Sequence, residues 1–119
     1  MAVEDGGTLA EFRSFRERMN DRILGAGNLE IKRFFALDDR VYRDGALPVK
    51  TKELLGLVSS TVLRCDDCIR YHILRCKEEG VTDEEVFETL SVALVVGGSI
   101  TIPHLRRAVD FMDELNAAS

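Results

Sequence analysis

Apolar side chains recur at intervals of three and four residues along most of this sequence, and no segment sustains an alternation of period two. A helix places residues three and four apart on one face, whereas a strand sends successive side chains to opposite faces. The pattern therefore predicts an all-α fold, a compact bundle of about six helices. Even the β-branched run from Val92 to Val96 falls inside a helical pattern.

Local signals divide the pattern into helices. Thr8 followed by Glu11 has the spacing of a capping box, and Leu9, Phe12, Phe15, Met19 and Ile23 then form one stripe up to Gly25 and Gly27. Asn28 is placed to cap a second helix carrying Ile31, Phe34, Phe35, Leu37 and Val41, which is expected to end near Asp44-Gly45. Pro48 suits the first turn of a third helix, whose buried face is expected to comprise Leu54, Leu55, Leu57, Val58, Val62 and Leu63. A fourth carries Cys68 to about Glu79 and stops at Gly80. Thr82 and Glu85 open a fifth, which Gly97-Gly98 breaks, and Pro103 stands near the start of a sixth with Leu105, Ala108, Val109, Met112 and Leu115 as its stripe.

A chain of 119 residues with 45% hydrophobic side chains suits one domain with one core. Its 16 basic residues are scattered among 21 acidic ones, for a net charge of −5, so no basic patch exists to follow a phosphate backbone and nucleic acid is not an expected partner. The first thirty residues mix Glu4, Asp5 and Glu11 with arginines and lack an apolar core, unlike a signal peptide. No stretch approaches the roughly 20 apolar residues of a spanning helix. A cytoplasmic protein with no membrane partner is expected.

In a reducing compartment, three cysteines of which two form Cys65-Asp66-Asp67-Cys68 point to catalysis or metal binding rather than to a disulfide framework. On a helix, residues three apart have Cα atoms about 5 to 6 Å apart, within the range a disulfide needs. Cys65 and Cys68 can therefore cycle between dithiol and disulfide. His72 follows Cys68 by one turn and can exchange a proton with it. A helix beginning near Arg64 to Asp66 would favour thiolates at its N-terminus, while the carboxylates of Asp66 and Asp67 would oppose them. Sequence leaves that balance open.

Zinc is the competing use of Cys65, Cys68, His72 and Cys76. On one straight helix residues 65 and 76 stand about 16 Å apart along the axis, too far to converge on one ion. Cys76 reads as a core residue and His104 as structural. Gly97-Gly98 reads as a helix stop, because the strand and spacing of a phosphate loop are missing.

With Glu53 added, the motif becomes Glu53, eleven residues, Cys65-Asp66-Asp67-Cys68, three residues, His72. It resembles the signature of the alkylhydroperoxidase D-like proteins of the carboxymuconolactone decarboxylase superfamily. The segments Asp44-Gly45-Ala46-Leu47-Pro48, Lys50-Thr51-Lys52-Glu53-Leu54 and Gly80-Val81-Thr82-Asp83-Glu84-Glu85 are similar too. The resemblance implies a single helical domain over residues 1–119, with an N-terminal helix within 1–27 and the family core over 28–115. It also implies homo-oligomers, commonly trimers or hexamers, and reduction of hydroperoxides or exchange of disulfides.

By that resemblance the catalytic residues are Cys68, Cys65, His72 and Glu53: Cys68 attacks the peroxide, Cys65 resolves the product, and Glu53 with His72 relays the proton. No metal or organic cofactor is required. The implied partners are a hydroperoxide substrate and an external dithiol reductant, lipoyl-linked in well-studied relatives. One condition is geometric. Glu53 lies twelve residues before Cys65, about 18 Å along a continuous helix, so the chain must turn between the third and fourth helices. One departure is chemical: some active members carry histidine just before the second cysteine, where Asp67 stands here. Other readings of the same residues are a non-enzymatic redox-sensing oligomeric module, a decarboxylase-type enzyme and a zinc-binding helical protein.

Overall fold

A computed structural model describes the backbone of residues 3–118 and the side-chain surroundings of residues 9–118. Among the described residues six α-helices follow one another: α1 (Val3–Gly25), α2 (Leu29–Val41), α3 (Val49–Val62), α4 (Asp66–Glu78), α5 (Asp83–Gly97) and α6 (Ile102–Ala118), with a 3₁₀ turn at Ser99–Thr101 before the last. No strand occurs among the described residues, as the periodicity predicts. The chain divides into two compact units, one reaching Arg43 and one running from Asp44 to Ala117. The first holds α1 and α2. The second holds the other four helices and the whole cysteine motif.

Several boundaries follow from the expected caps. The Asn28 side chain accepts from the Ile31 amide at 3.0 Å and starts α2. Thr82 and Glu85 form the full capping box of α5, each side chain accepting the other's backbone amide. The Thr8–Glu11 pair is a correction: α1 already runs through these positions, so it starts no helix. Gly6 and Gly7, poor helix formers, hide the upstream turns from a propensity reading. α2 ends at Val41, earlier than Asp44-Gly45, and Asp44 instead serves α3 by accepting from the Val49 amide at 2.8 Å.

In the second unit α3 packs against both α4 and α5. Its core includes Leu57, Ile69, Ile73, Val86, Phe111 and Met112, all almost fully excluded from solvent. Each such side chain contributes about 1.5–3 kcal/mol relative to exposure. The buried face of α3 itself differs from the expected one. It consists of Glu53, Gly56, Leu57, Ser60 and Thr61, while Leu55 and Leu63 are exposed. The helix turns a largely polar, small-residue strip inward, and that strip faces the cysteine motif's helix.

Candidate active site

The junction between α3 and α4 meets the geometric condition set by Glu53. After the C-cap Leu63, Arg64 takes a left-handed conformation with φ 60°, and its amide donates to Thr61 O at 3.0 Å. The Cys65 amide donates to Ser60 O, also at 3.0 Å. These paired bonds form a Schellman closure, which usually takes glycine at the left-handed position. The chain reverses there, and α4 runs back along α3.

Cys65 has two jobs at this junction. Its backbone closes α3, and its side chain is the N-cap of α4, with Sγ accepting from the Cys68 amide at 3.3 Å. Cys65 and Cys68 are joined as a disulfide, with Cα atoms 5.3 Å apart. Cys68 is exposed and Cys65 half-buried. The N-cap position directs the partial positive charge of the helix terminus at the Cys65 sulfur.

A buried acid–base pair joins α3 to α4. His72, one turn beyond Cys68, places Nδ1 2.8 Å from Glu53 Oε1 of α3. A carboxylate can only accept, so Nδ1 carries the hydrogen and Nε2 is the basic nitrogen. Both residues are buried, Glu53 to 1% exposure. The other carboxylate oxygen faces Arg75 Nε at 3.5 Å. Arg75 also pairs with Glu78 and Glu79, and the Glu78 hydrogen bond outweighs burial in holding its guanidinium more firmly protonated than usual, with Glu53 adding to it.

Gly56 makes this pair possible. A Cβ there would lie 2.5 to 2.7 Å from three atoms of the His72 ring, so only glycine lets the imidazole lie against α3. The sequence carries a sign of this in a glycine within a strong helical pattern, which costs about 1 kcal/mol against alanine without a packing reason.

A second histidine–carboxylate pair lies at the other side of the motif. Asp66, the first residue of α4, has Oδ1 2.8 Å from His104 Nδ1, and its Oδ2 accepts from Arg107 Nε at 2.9 Å. Burial pushes the Asp66 carboxyl up, but the His104 hydrogen bond and the Arg107 charge outweigh it and hold it below its usual value. His104, read as structural, is thus tied to the motif from 38 residues away. No local sequence signal connects positions so distant. Asp67, by contrast, is exposed and only 3.4 Å from Arg70 Nη1.

Cys76 is fully buried and carries a free thiol, pushed up to about 12 chiefly by burial and then by the nearby Glu53 charge. Such a thiol is inert at neutral pH. Among the described residues no group of three or more His, Cys, Asp or Glu side chains is gathered as a metal ion requires. No helix among them is long and apolar enough to cross a membrane.

Residues 31–111 match the sequence profile of the carboxymuconolactone decarboxylase family. Uncharacterized protein 4 of the cox locus of Paracoccus denitrificans is 33% identical over 85 residues, covering 71% of this chain and 77% of that protein. The alkyl hydroperoxide reductase AhpD of Corynebacterium kroppenstedtii is 39% identical over 46 residues, covering 39% of this chain and 26% of that enzyme. A Thermotoga maritima crystal structure is 63% identical, with TM-score 0.88 over 91% of this chain and 95% of that one. A second structure from that organism, 63% identical with TM-score 0.86 over 90% and 91% of the two chains, is described as a member of the same family for which a part in the antioxidative response is suggested.

Proposed function

This chain belongs to the carboxymuconolactone decarboxylase family, and from that premise we propose that it reduces hydroperoxides through Cys65 and Cys68 with Glu53 and His72 moving the proton. The observation that carries the proposal is the 2.8 Å contact between His72 and Glu53, made from two helices, with His72 one turn along α4 from the exposed Cys68. A lone histidine has a structural explanation. One whose Nδ1 is fixed by a buried carboxylate, one turn from a redox-capable cysteine, has the arrangement of a general base.

In the proposed cycle His72 Nε2 takes the Cys68 proton, and the thiolate attacks one peroxide oxygen. The O–O bond breaks, Cys68 becomes a sulfenic acid, and the departing alkoxide takes the proton back from His72 as an alcohol. The Cys65 thiol then displaces water from the sulfenic acid and forms the 65–68 disulfide. An external dithiol supplies two electrons and two protons to restore the site and leaves as a disulfide. Oxidation of that dithiol thus balances reduction of the peroxide to alcohol and water. The suggested antioxidative role of the Thermotoga maritima relative and the AhpD similarity both support this chemistry. With Asp67 where some members carry histidine, turnover is expected to be slow.

Assembly into a homo-oligomer is part of the same proposal. Leu63, Val95, Val96 and Ile100 are 57 to 84% exposed, and α2 has no buried residue although Leu29, Phe34, Leu37 and Val41 all lie on it. Exposed apolar area on this scale supports burial between subunits. Light scattering coupled to size exclusion should give a mass above the 13.3 kDa of one chain, and a monomer would contradict it.

The activity is tested with an organic hydroperoxide and excess lipoyl dithiol under steady-state conditions. Cys68→Ser should abolish consumption, whereas Cys65→Ser should allow one turnover that stops at the sulfenic acid. Unchanged rates in both variants would remove the dithiol mechanism.

A further inference from the structure

The Asp66–His104–Arg107 cluster is not used by the cycle described above, yet it touches the motif between its two cysteines. Asp66 follows Cys65 directly, and its carboxylate receives both α6 side chains, His104 at 2.8 Å and Arg107 at 2.9 Å. Arg107 Nη2 also lies 3.4 Å from His104 Nδ1. Since His104 Nδ1 cannot both donate to the carboxylate and accept from the guanidinium, the shorter contact decides, and Nδ1 donates to Asp66. The three side chains are 31, 16 and 48% exposed, so the cluster is partly shielded from solvent.

An unpaired carboxylate at position 66, next to Cys65 and two residues before Cys68 in the first turn of α4, would oppose a negative charge on the sulfurs. Here Arg107 cancels it, and His104 fills its remaining oxygen. Asp67 carries the motif's other carboxylate, but it is 79% exposed and faces Arg70, so solvent and a cation both screen it. The balance between helix terminus and acidic residues, open in the sequence, is thereby tilted toward the thiolate.

We infer that His104 and Arg107 are positioning residues that raise the reduction potential of the Cys65–Cys68 pair by neutralising Asp66. Reduction of that disulfide takes two electrons and two protons from a dithiol, which becomes a disulfide itself, and a sulfur held as thiolate releases its proton to solvent. A group that favours the anionic sulfur stabilises the reduced form and makes the couple more oxidising. The inference rests on the 65–68 pair working as a dithiol, but it does not require a peroxide as substrate.

The test is equilibration of the full chain in reduced and oxidised dithiothreitol at pH 7, with the oxidised fraction read by alkylation and mass spectrometry. Arg107→Gln and His104→Gln should each shift the equilibrium toward the disulfide, by about two- to fivefold for an exposed ion pair. Asp66→Asn should shift it by a similar factor in the opposite direction. Arg107→Lys, which keeps the charge, should restore most of the wild-type value. A cluster that merely ties α6 to α4 would lower thermal stability in all these variants and move the equilibrium in one common direction or not at all. Shifts of the same sign in Arg107→Gln and Asp66→Asn, or an unmoved equilibrium in both, would overturn the inference. A wild-type pair that does not exchange with dithiothreitol would overturn both this inference and the dithiol reading. Exchange without hydroperoxide turnover would overturn only the peroxidase reading and, with opposite shifts, support this one.

Discussion

Two histidine–carboxylate pairs flank the cysteine motif with the same contact distance of 2.8 Å, yet they differ in what surrounds them. In the His72–Glu53 pair the side chains are 10 and 1% exposed, and glycine packing presses the imidazole against α3. In the His104–Asp66 pair they are 16 and 31% exposed, with Arg107 open on one side. Distance alone would rank them equal. Burial separates them, because a low-dielectric site magnifies both the benefit of a satisfied charge and the cost of an orphaned one. The inner pair is suited to hold a fixed tautomer, and the outer pair to adjust the charge felt by the sulfurs.

The two pairs should differ most at Glu53. Glu53→Ala leaves a buried imidazole and the Arg75 guanidinium without their shared acceptor, so a loss of about 3–5 kcal/mol in urea unfolding is expected. The corresponding change in the outer pair, Asp66→Ala, should cost about 1 kcal/mol or less. Equal losses would show that burial does not distinguish the pairs.

Next in size is Gly56→Ala. The added methyl collides with the His72 ring, and displacing it should cost about 1–3 kcal/mol. Hydroperoxide turnover should fall further than stability explains, by about 10²-fold or more if the histidine serves as base. Gly25→Ala, where a Cβ meets nothing within 4 Å, is the control, with unchanged turnover.

Arg64→Gly tests the turn that brings the two pairs to one motif. Arginine holds a left-handed conformation there that costs roughly 1–2 kcal/mol relative to glycine. The variant should melt at a higher temperature. Gly80, with φ 82°, closes α4 in the same manner, and Gly80→Ala should lower the melting temperature by a comparable amount.

The smallest effect is expected from pH at Asp66. Its folded carboxyl lies below the ordinary value of 3.8, so its stabilising contribution is complete above that value and is lost as pH falls through the lower folded one. Thermal melts between about pH 5 and about pH 2 should show a steeper acid loss in the wild type than in Asp66→Asn.

Much of this site is legible in the sequence. The spacing of Glu53, Cys65, Cys68 and His72 carries it, and local rules place the caps at Asn28 and Thr82. Three things are not legible there. The reversal after α3 depends on a left-handed arginine, at a position where only glycine would have announced it. The apolar residues of α3 suggest one buried face, whereas the helix buries Glu53, Ser60 and Thr61 and exposes Leu55 and Leu63. The usual pattern is inverted there, and the buried carboxylate is stable only with the partners that α4 supplies. The contacts of His104 and Arg107 with Asp66 span 38 and 41 residues, which no periodicity encodes.

In the proposed cycle Cys68 is the sulfur that reacts with peroxide, prepared by the buried His72–Glu53 pair. Cys65→Ser, fully reduced and then treated with one equivalent of an organic hydroperoxide and a sulfenic-acid-trapping dione, tests it by peptide mass spectrometry. Dione addition is expected at Cys68, strongly reduced when Glu53→Gln is added to the same chain. An unmodified Cys68, or equal labelling with and without the Glu53 carboxylate, would contradict it.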